Sequence, residues 1–144
     1  RTAPEATRAA GAPSPVRRVL VVDDNRDAAD TLSALLRADG HAVEVLYDGR
    51  EALHLGATFQ PELVLLDLHM PEISGFQLAP RIRREAWGRA TALVALTGWG
   101  QAQDRRATAE AGFDLHLVKP VTPQTLSVVL RSLDELSPPR RSAE

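Results

Sequence analysis

Apolar positions along the chain follow two alternating rhythms. Unbroken apolar runs occur at 19–22 (Val-Leu-Val-Val), 63–66 (Leu-Val-Leu-Leu) and 92–96 (Ala-Leu-Val-Ala-Leu), and a nearly unbroken one at 115–118 (Leu-His-Leu-Val). A short run without polar alternation reads as a strand covered on both faces, as in parallel sheets. Residues 42–46 (Ala-Val-Glu-Val-Leu) are more mixed and read as an edge strand. Between these runs the spacing becomes helical. Ala28, Leu32, Leu35 and Leu36 share one face of a helix that Asp24 or Asn25 caps and Gly40 ends. Residues 51–57 predict a second helix, with Ala52, Leu53, Leu55 and Gly56 inward. A third runs from after Gly75 to about Trp87, with Phe76, Ala79, Ile82 and Ala86 on one face. Pro80 sits awkwardly in it: inside a helix a proline costs about 3 kcal/mol, so the helix either starts late or kinks there. The fourth helix, 101–111, has an apolar side made of Ala102, Ala107, Ala109 and Ala111. Alanines bury little area, so this helix is expected to be weakly anchored and able to shift. Thr122 caps the last helix with Pro123 in its first position, and Leu126, Val129, Leu130, Leu133 and Leu136 form its apolar stripe.

Five strands alternating with five helices predict an α/β fold: a doubly wound parallel sheet with helices on both faces. Right-handed crossovers onto two faces need one reversal of strand order, most simply 2-1-3-4-5, the flavodoxin-like (βα)5 arrangement. One domain is expected over 17–136. Residues 1–16, rich in Ala, Pro, Thr, Gly and Arg, read as a flexible linker, and 137–144 as a loose tail.

Composition narrows the function. A length of 144 residues suits one domain, and 44% hydrophobic residues supply a real core. A net charge of -2 argues against nucleic-acid or anionic-membrane binding by this domain. With no cysteine there is no disulfide, thiolate metal site or thiol nucleophile, which fits a cytoplasmic setting. No apolar run approaches the roughly 20 residues of a membrane span. The start, at Arg1, carries charge and prolines rather than a signal peptide, and suggests a piece of a longer protein.

The candidate chemistry lies where the strands end. The first strand stops at Asp23-Asp24, the third at Asp67, the fourth at Thr97 and the fifth at Lys119. In the expected order the first and third strands are neighbours, which brings the three carboxylates together at the switch point. Such carboxylates repel one another unless a cation sits among them, and hard oxygen donors without thiols suit Mg²⁺. A hydroxyl and an ammonium on the same rim can hold the equatorial oxygens of a phosphoryl group, and an Asp carboxylate can be its acceptor. Taken singly, Thr97 reads as a turn cap and Lys119 as half of a salt bridge. Together the residues read as a site. His41, His54 and His69 are not spaced as a ligand set and read as surface or loop residues.

These residues give the chain its resemblance. Asp23-Asp24, Asp67 followed by Met70-Pro71, Thr97, and Lys119-Pro120, at their spacings, resemble a receiver domain of the two-component response-regulator family over residues 17–136. The resemblance implies that Asp67 is the phosphoacceptor, phosphorylated from a phosphohistidine on a histidine kinase or histidine phosphotransfer protein. It implies Mg²⁺ held by Asp24 and Asp67, by the backbone carbonyl of His69, and by Asp23 through water. Thr97 would bond the phosphoryl group and turn with it. Lys119 would pair with that group ahead of a cis peptide at Pro120. Phosphorylation would switch the surface of helix 4, strand 5 and helix 5, through which a homodimer can form. Receivers carry Tyr or Phe three residues before the lysine as a second switch; here His116 stands there. Trp99, two residues after Thr97, and His69, two after Asp67, would flank the path of a hydrolytic water.

Three other readings share the fold. A Mg²⁺-dependent phosphatase with an Asp nucleophile would want a second Asp two residues after Asp67, where His69 stands. A nucleotide binder would want a Gly-rich loop after the first strand, where Asp23-Asp24-Asn25 repel phosphate. A pseudo-receiver would bind partners without phosphorylation. The wording of 96–101 and 111–114 is similar to receivers of hybrid sensor histidine kinases.

Overall fold

The computed structural model describes residues 16–98 and 105–136. Apart from Val16, the expected linker lies outside them, as do the tail, Trp99 and the first four residues of the expected fourth helix. The described elements are β1 (Arg18–Val22), α1 (Arg26–Ala38), β2 (Ala42–Leu46), α2 (Ala52–Phe59), β3 (Leu63–Asp67), α3 (Gly75–Arg84), β4 (Ala92–Thr97), α4 (Arg105–Ala111), β5 (Leu115–Val118) and α5 (Pro123–Leu136). The sheet is parallel, in the order β2-β1-β3-β4-β5 expected from the sequence.

Period-two alternation along the strands divides the core. Val19, Val21, Leu63, Leu65, Val94 and Leu96 face α1 and α5, whereas Leu20, Val22, Val64, Leu66, Leu93 and Ala95 face α2 and α3. Every residue of β3 and β4 is buried, which is why their sequences do not alternate. β2 lies at an edge, and its outward residues Ala42 and Glu44 are exposed.

The helices depart from expectation where tertiary packing overrides local spacing. In α1 the buried face carries Ala29, Leu32, Ser33 and Leu36; Ala28 and Leu35 are half-buried, so the stripe is rotated by one residue. Asn25 is its cap, accepting the Ala28 N–H, and Gly40 closes it at φ +92°. α3 neither starts late at Pro80 nor extends to Trp87. It begins at Gly75 under a capping box, in which Ser74 Oγ accepts the Gln77 N–H and the Gln77 side chain accepts the Ser74 N–H. That box and the burial of Leu78, Ala79 and Ile82 outweigh the backbone bond Pro80 cannot make. The helix stops at Arg84 because Glu85 is extended and Gly88 folds back against the Ile82 carbonyl; Ala86, expected inside, is exposed. Trp87 instead lays its ring across Gly56 of α2, with no room between them for a Cβ. In α4 the buried residue is Thr108, not an alanine: Ala109 is exposed, and Ala107 and Ala111 are half-buried. α5 follows its sequence, with Leu126, Val129, Leu130 and Leu133 buried and Thr122 Oγ1 accepting the Thr125 N–H. Among the described residues no helix is long and apolar enough to cross a membrane.

Candidate functional site

Strand register builds the site. Val22 is paired with Leu66, so the chain leaves β1 at Asp23 beside Asp67, the last residue of β3. Asp67 is in turn paired with Leu96, next to Thr97, and Thr97 with Val118, next to Lys119. The five residues that ended four separate stretches of sequence therefore share one rim. Each of Asp23, Asp24 and Asp67 offers a carboxylate oxygen within 4.8 Å of the others. Asp23 and Asp67 are buried, and Asp24 is exposed.

Backbone groups fix the two buried carboxylates. Asp23 Oδ1 accepts the Asn25 N–H at 3.0 Å, and Asp67 Oδ1 accepts the His69 N–H at 3.1 Å. Gly75 sits so close under Asp67 that a Cβ there would stand 2.5 Å from the Asp67 carbonyl oxygen. The loop from β3 to α3 is tied down by that approach, by Gly75 N–H donating to the Leu68 carbonyl, and by Met70 and Ile73 against Gly49.

Lys119 bridges both acids, with Nζ 3.2 Å from Asp23 Oδ2 and 3.4 Å from Asp67 Oδ2. The sequence suggested a pair with one carboxylate at most. Burial works against the ammonium, but the two carboxylates outweigh it and hold its pKa above the ordinary lysine value. For Asp67 the balance goes the other way. Burial, then a shared hydrogen bond with the Asp23 carboxyl and that group's charge, push its pKa up to about 7, against the pull of the His69 N–H and Lys119. Two buried acids and one ammonium leave the rim with an excess of negative charge and of oxygen donors, which suits a hard divalent cation.

Thr97 is completely buried, yet its Oγ1 has no hydrogen-bond partner among the described residues. Leaving a buried hydroxyl unpaired costs about 1–3 kcal/mol. His116 is half-buried on β5 beside Ala95, and its Nε2 is likewise buried without a partner among the described residues. It lines a cleft of about 290 Å³ with Arg105 and Thr108 of α4; burial, then the Arg105 charge, lower its pKa. His69 is exposed and meets Phe76 edge-on, ring centroids 6.2 Å apart. His54 is exposed as expected; His41 lies in the loop between α1 and β2, within its reading as a surface or loop residue, but it is buried there. The Lys119-Pro120 peptide is cis, as the resemblance implied. Trp99 lies outside the described residues.

Sequence reasoning missed Gly75, whose close approach follows from the β3–α3 turn. It also missed Arg83, which donates to the carbonyls of Gly112, Gly88 and Thr91 and to the Asp114 carboxylate, tying the end of α3 to the loop between α4 and β5. Three arginines follow one another at 81, 83 and 84, and spacing alone does not say which turns inward.

Residues 19–131 match the family model of the response regulator receiver domain. Among curated proteins, an uncharacterized 14.6 kDa protein of Leptolyngbya boryana is 39% identical over 108 residues, covering 75% of this chain and 82% of its own length. The response regulator MprA of Mycolicibacterium vanbaalenii is 36% identical over 116 residues, 81% of this chain and 49% of its own. The chain thus spans about half the length of that relative. Among solved structures, the chemotaxis protein CheY4 of Vibrio cholerae superposes with a TM-score of 0.76 at 29% identity, over 82% of this chain and 98% of its own. The receiver domain of the sensor histidine kinase PA1611 from Pseudomonas aeruginosa, which holds a magnesium ion in its active-site cleft, superposes with a TM-score of 0.73 at 27% identity, over 82% and 97%.

Proposed function

The chain belongs to the response regulator receiver domain family, and on that premise we propose that it is the phosphoacceptor module of a two-component phosphorelay, with Asp67 taking the phosphoryl group. The observation that supports this most is the convergence of Asp23, Asp24, Asp67, Thr97 and Lys119 on one rim, with Asp67 held between a backbone N–H and an ammonium. The donor is a phosphohistidine on a histidine kinase or histidine phosphotransfer protein. An ionised Asp67 oxygen attacks phosphorus, the P–N bond breaks, and its electron pair leaves with the imidazole. The product is an acyl phosphate on Asp67.

Mg²⁺ fits the donor set: Asp24 and Asp67 would hold it directly, the His69 backbone carbonyl would be a third ligand, and Asp23 would act through water. When bound, the ion neutralises charge on the carboxylates and on the phosphoryl oxygens. Lys119 then exchanges its contact with Asp67 for one with the phosphoryl group. The buried Thr97 hydroxyl, without a partner among the described residues, finds one in a phosphoryl oxygen. Its turn frees space toward β5, where His116 stands in the place of the family's aromatic switch and carries the change to the α4, β5 and α5 surface. That surface can also support a homodimer. Trp99, close in sequence to Thr97, slows the approach of the hydrolytic water. The domain works in the cytoplasm and touches neither nucleic acid nor membrane. A place within a hybrid sensor kinase fits the likeness to the receiver domain of the sensor histidine kinase PA1611.

The test is to incubate the protein with acetyl phosphate, with and without Mg²⁺, and follow the intact mass. A labile phosphoryl gain that needs Mg²⁺ and is lost in Asp67→Asn is expected. No gain, together with no response to beryllofluoride, would overturn the reading in favour of a pseudo-receiver.

A further inference from the structure

At the edge of the sheet opposite the acidic rim, the chain enters β1 through a clamp made of side chains. Residue 17 precedes the strand, so its backbone N–H has no rung of the ladder to join. It donates instead to His41 Nδ1, 3.0 Å away, on the β2 side. The next N–H, of Arg18, donates to Glu62 Oε1 at 3.0 Å on the β3 side. The Arg17 side chain is buried, 3% exposed, and its guanidinium reaches Asp134 of α5 at 2.7 Å. His41 is 6% exposed. Backbone bonds complete the joint: the Ala42 N–H to the Arg17 carbonyl, and the His41 N–H to the Leu36 carbonyl.

An imidazole accepts through Nδ1 only when neutral, with its proton on Nε2. A second proton turns Nδ1 into a donor facing another donor. We infer that His41 is a proton-operated latch: protonation releases the Arg17 N–H and loosens the point where residues 1–16 join the domain, while the Glu62 arm stays closed.

The charges around the ring come from four elements. Arg17, ahead of β1, opposes a charge on His41; Asp39 at the end of α1, Asp134 of α5 and Glu62 ahead of β3 favour one. Burial exceeds these and moves the imidazole below its ordinary value, so the latch is closed at neutral pH and opens on acidification. The inference does not depend on the chemistry proposed for Asp67, which lies at the other end of β1.

The experiment is NMR on the whole chain. Imidazole ¹⁵N shifts should show His41 as the Nε2–H tautomer at pH 7.5. Across its titration, Arg17 amide exchange, corrected for the intrinsic pH dependence, should quicken about tenfold, the worth of one hydrogen bond. The Arg18 amide is the control, since Glu62 continues to hold it. His41→Asn keeps an acceptor oxygen that does not titrate, so its Arg17 protection should be independent of pH. An Nδ1–H tautomer, a pKa at or above the ordinary value, or Arg17 protection unchanged across the titration would each overturn the inference. The first two readings stand on the wild-type protein even if the variant fails to fold.

Discussion

Asp67 is held as an acid that prefers its proton. With its pKa near 7 in the folded chain and 3.8 in the unfolded one, the folded state binds more protons between those limits. Stability without metal therefore falls as pH rises through that window. Asp67→Asn removes the penalty, and denaturant unfolding should show the variant more stable than wild type at pH 8 and equal to it near pH 3. A cation needs the ionised carboxylate, so Mg²⁺ affinity measured by titration calorimetry should drop as pH falls below about 7, with a proton released on binding. Lys119→Met leaves the buried Asp23 without its cation and should cost about 1–3 kcal/mol in metal-free buffer. Added Mg²⁺ should restore more stability to this variant than to wild type, because the ammonium no longer competes. All five rim residues were legible in sequence because they follow the ends of four apolar runs. The double contact of Lys119 was not, since it depends on the spacing between two strands. Nor was the burial of His41, a loop residue that follows a glycine and whose Nδ1 accepts the Arg17 N–H.

At the scale of the element, the loop from β3 to α3 positions the site. Gly75 allows the helix to start directly beneath the Asp67 carbonyl. Gly75→Ala must displace that contact, and we expect a loss of about 1–3 kcal/mol in denaturant unfolding and weaker Mg²⁺ binding, because Asp67 and the His69 backbone move with the loop. Ser74→Ala removes one arm of the capping box and should cost about 1 kcal/mol without changing metal affinity. The pair separates a positional effect from a helix-stability effect. Strands were legible in the sequence almost to the residue because burial on both faces leaves an unbroken apolar run. Helices were less so. Whether Ala28 or Ala29 turns inward depends on how α1 docks on the sheet, and Pro80 is tolerated because packing outweighs a local rule.

Across the whole molecule, the strand order makes residues from four distant places in the sequence into one rim. β1 and β3 bring the acids, while β4 and β5 bring the hydroxyl and the ammonium, each one strand further from the switch point. Arg17 and His41 stand just ahead of β1 and β2, at the opposite end of those strands, so one end of β1 meets the acidic rim and the other the latch. Order and alternation were readable from the periodicity, and membership of the receiver family agrees with them. The central claim is that Asp67 alone takes the phosphoryl group. The most direct measurement is to phosphorylate the chain with acetyl phosphate and Mg²⁺, reduce the acyl phosphate with borohydride, and find by peptide mass which aspartate has become homoserine. The account predicts homoserine at position 67 and at neither 23 nor 24. Homoserine at 23 or 24, or intact aspartate at all three positions in a protein shown to carry the phosphoryl mass, would contradict it.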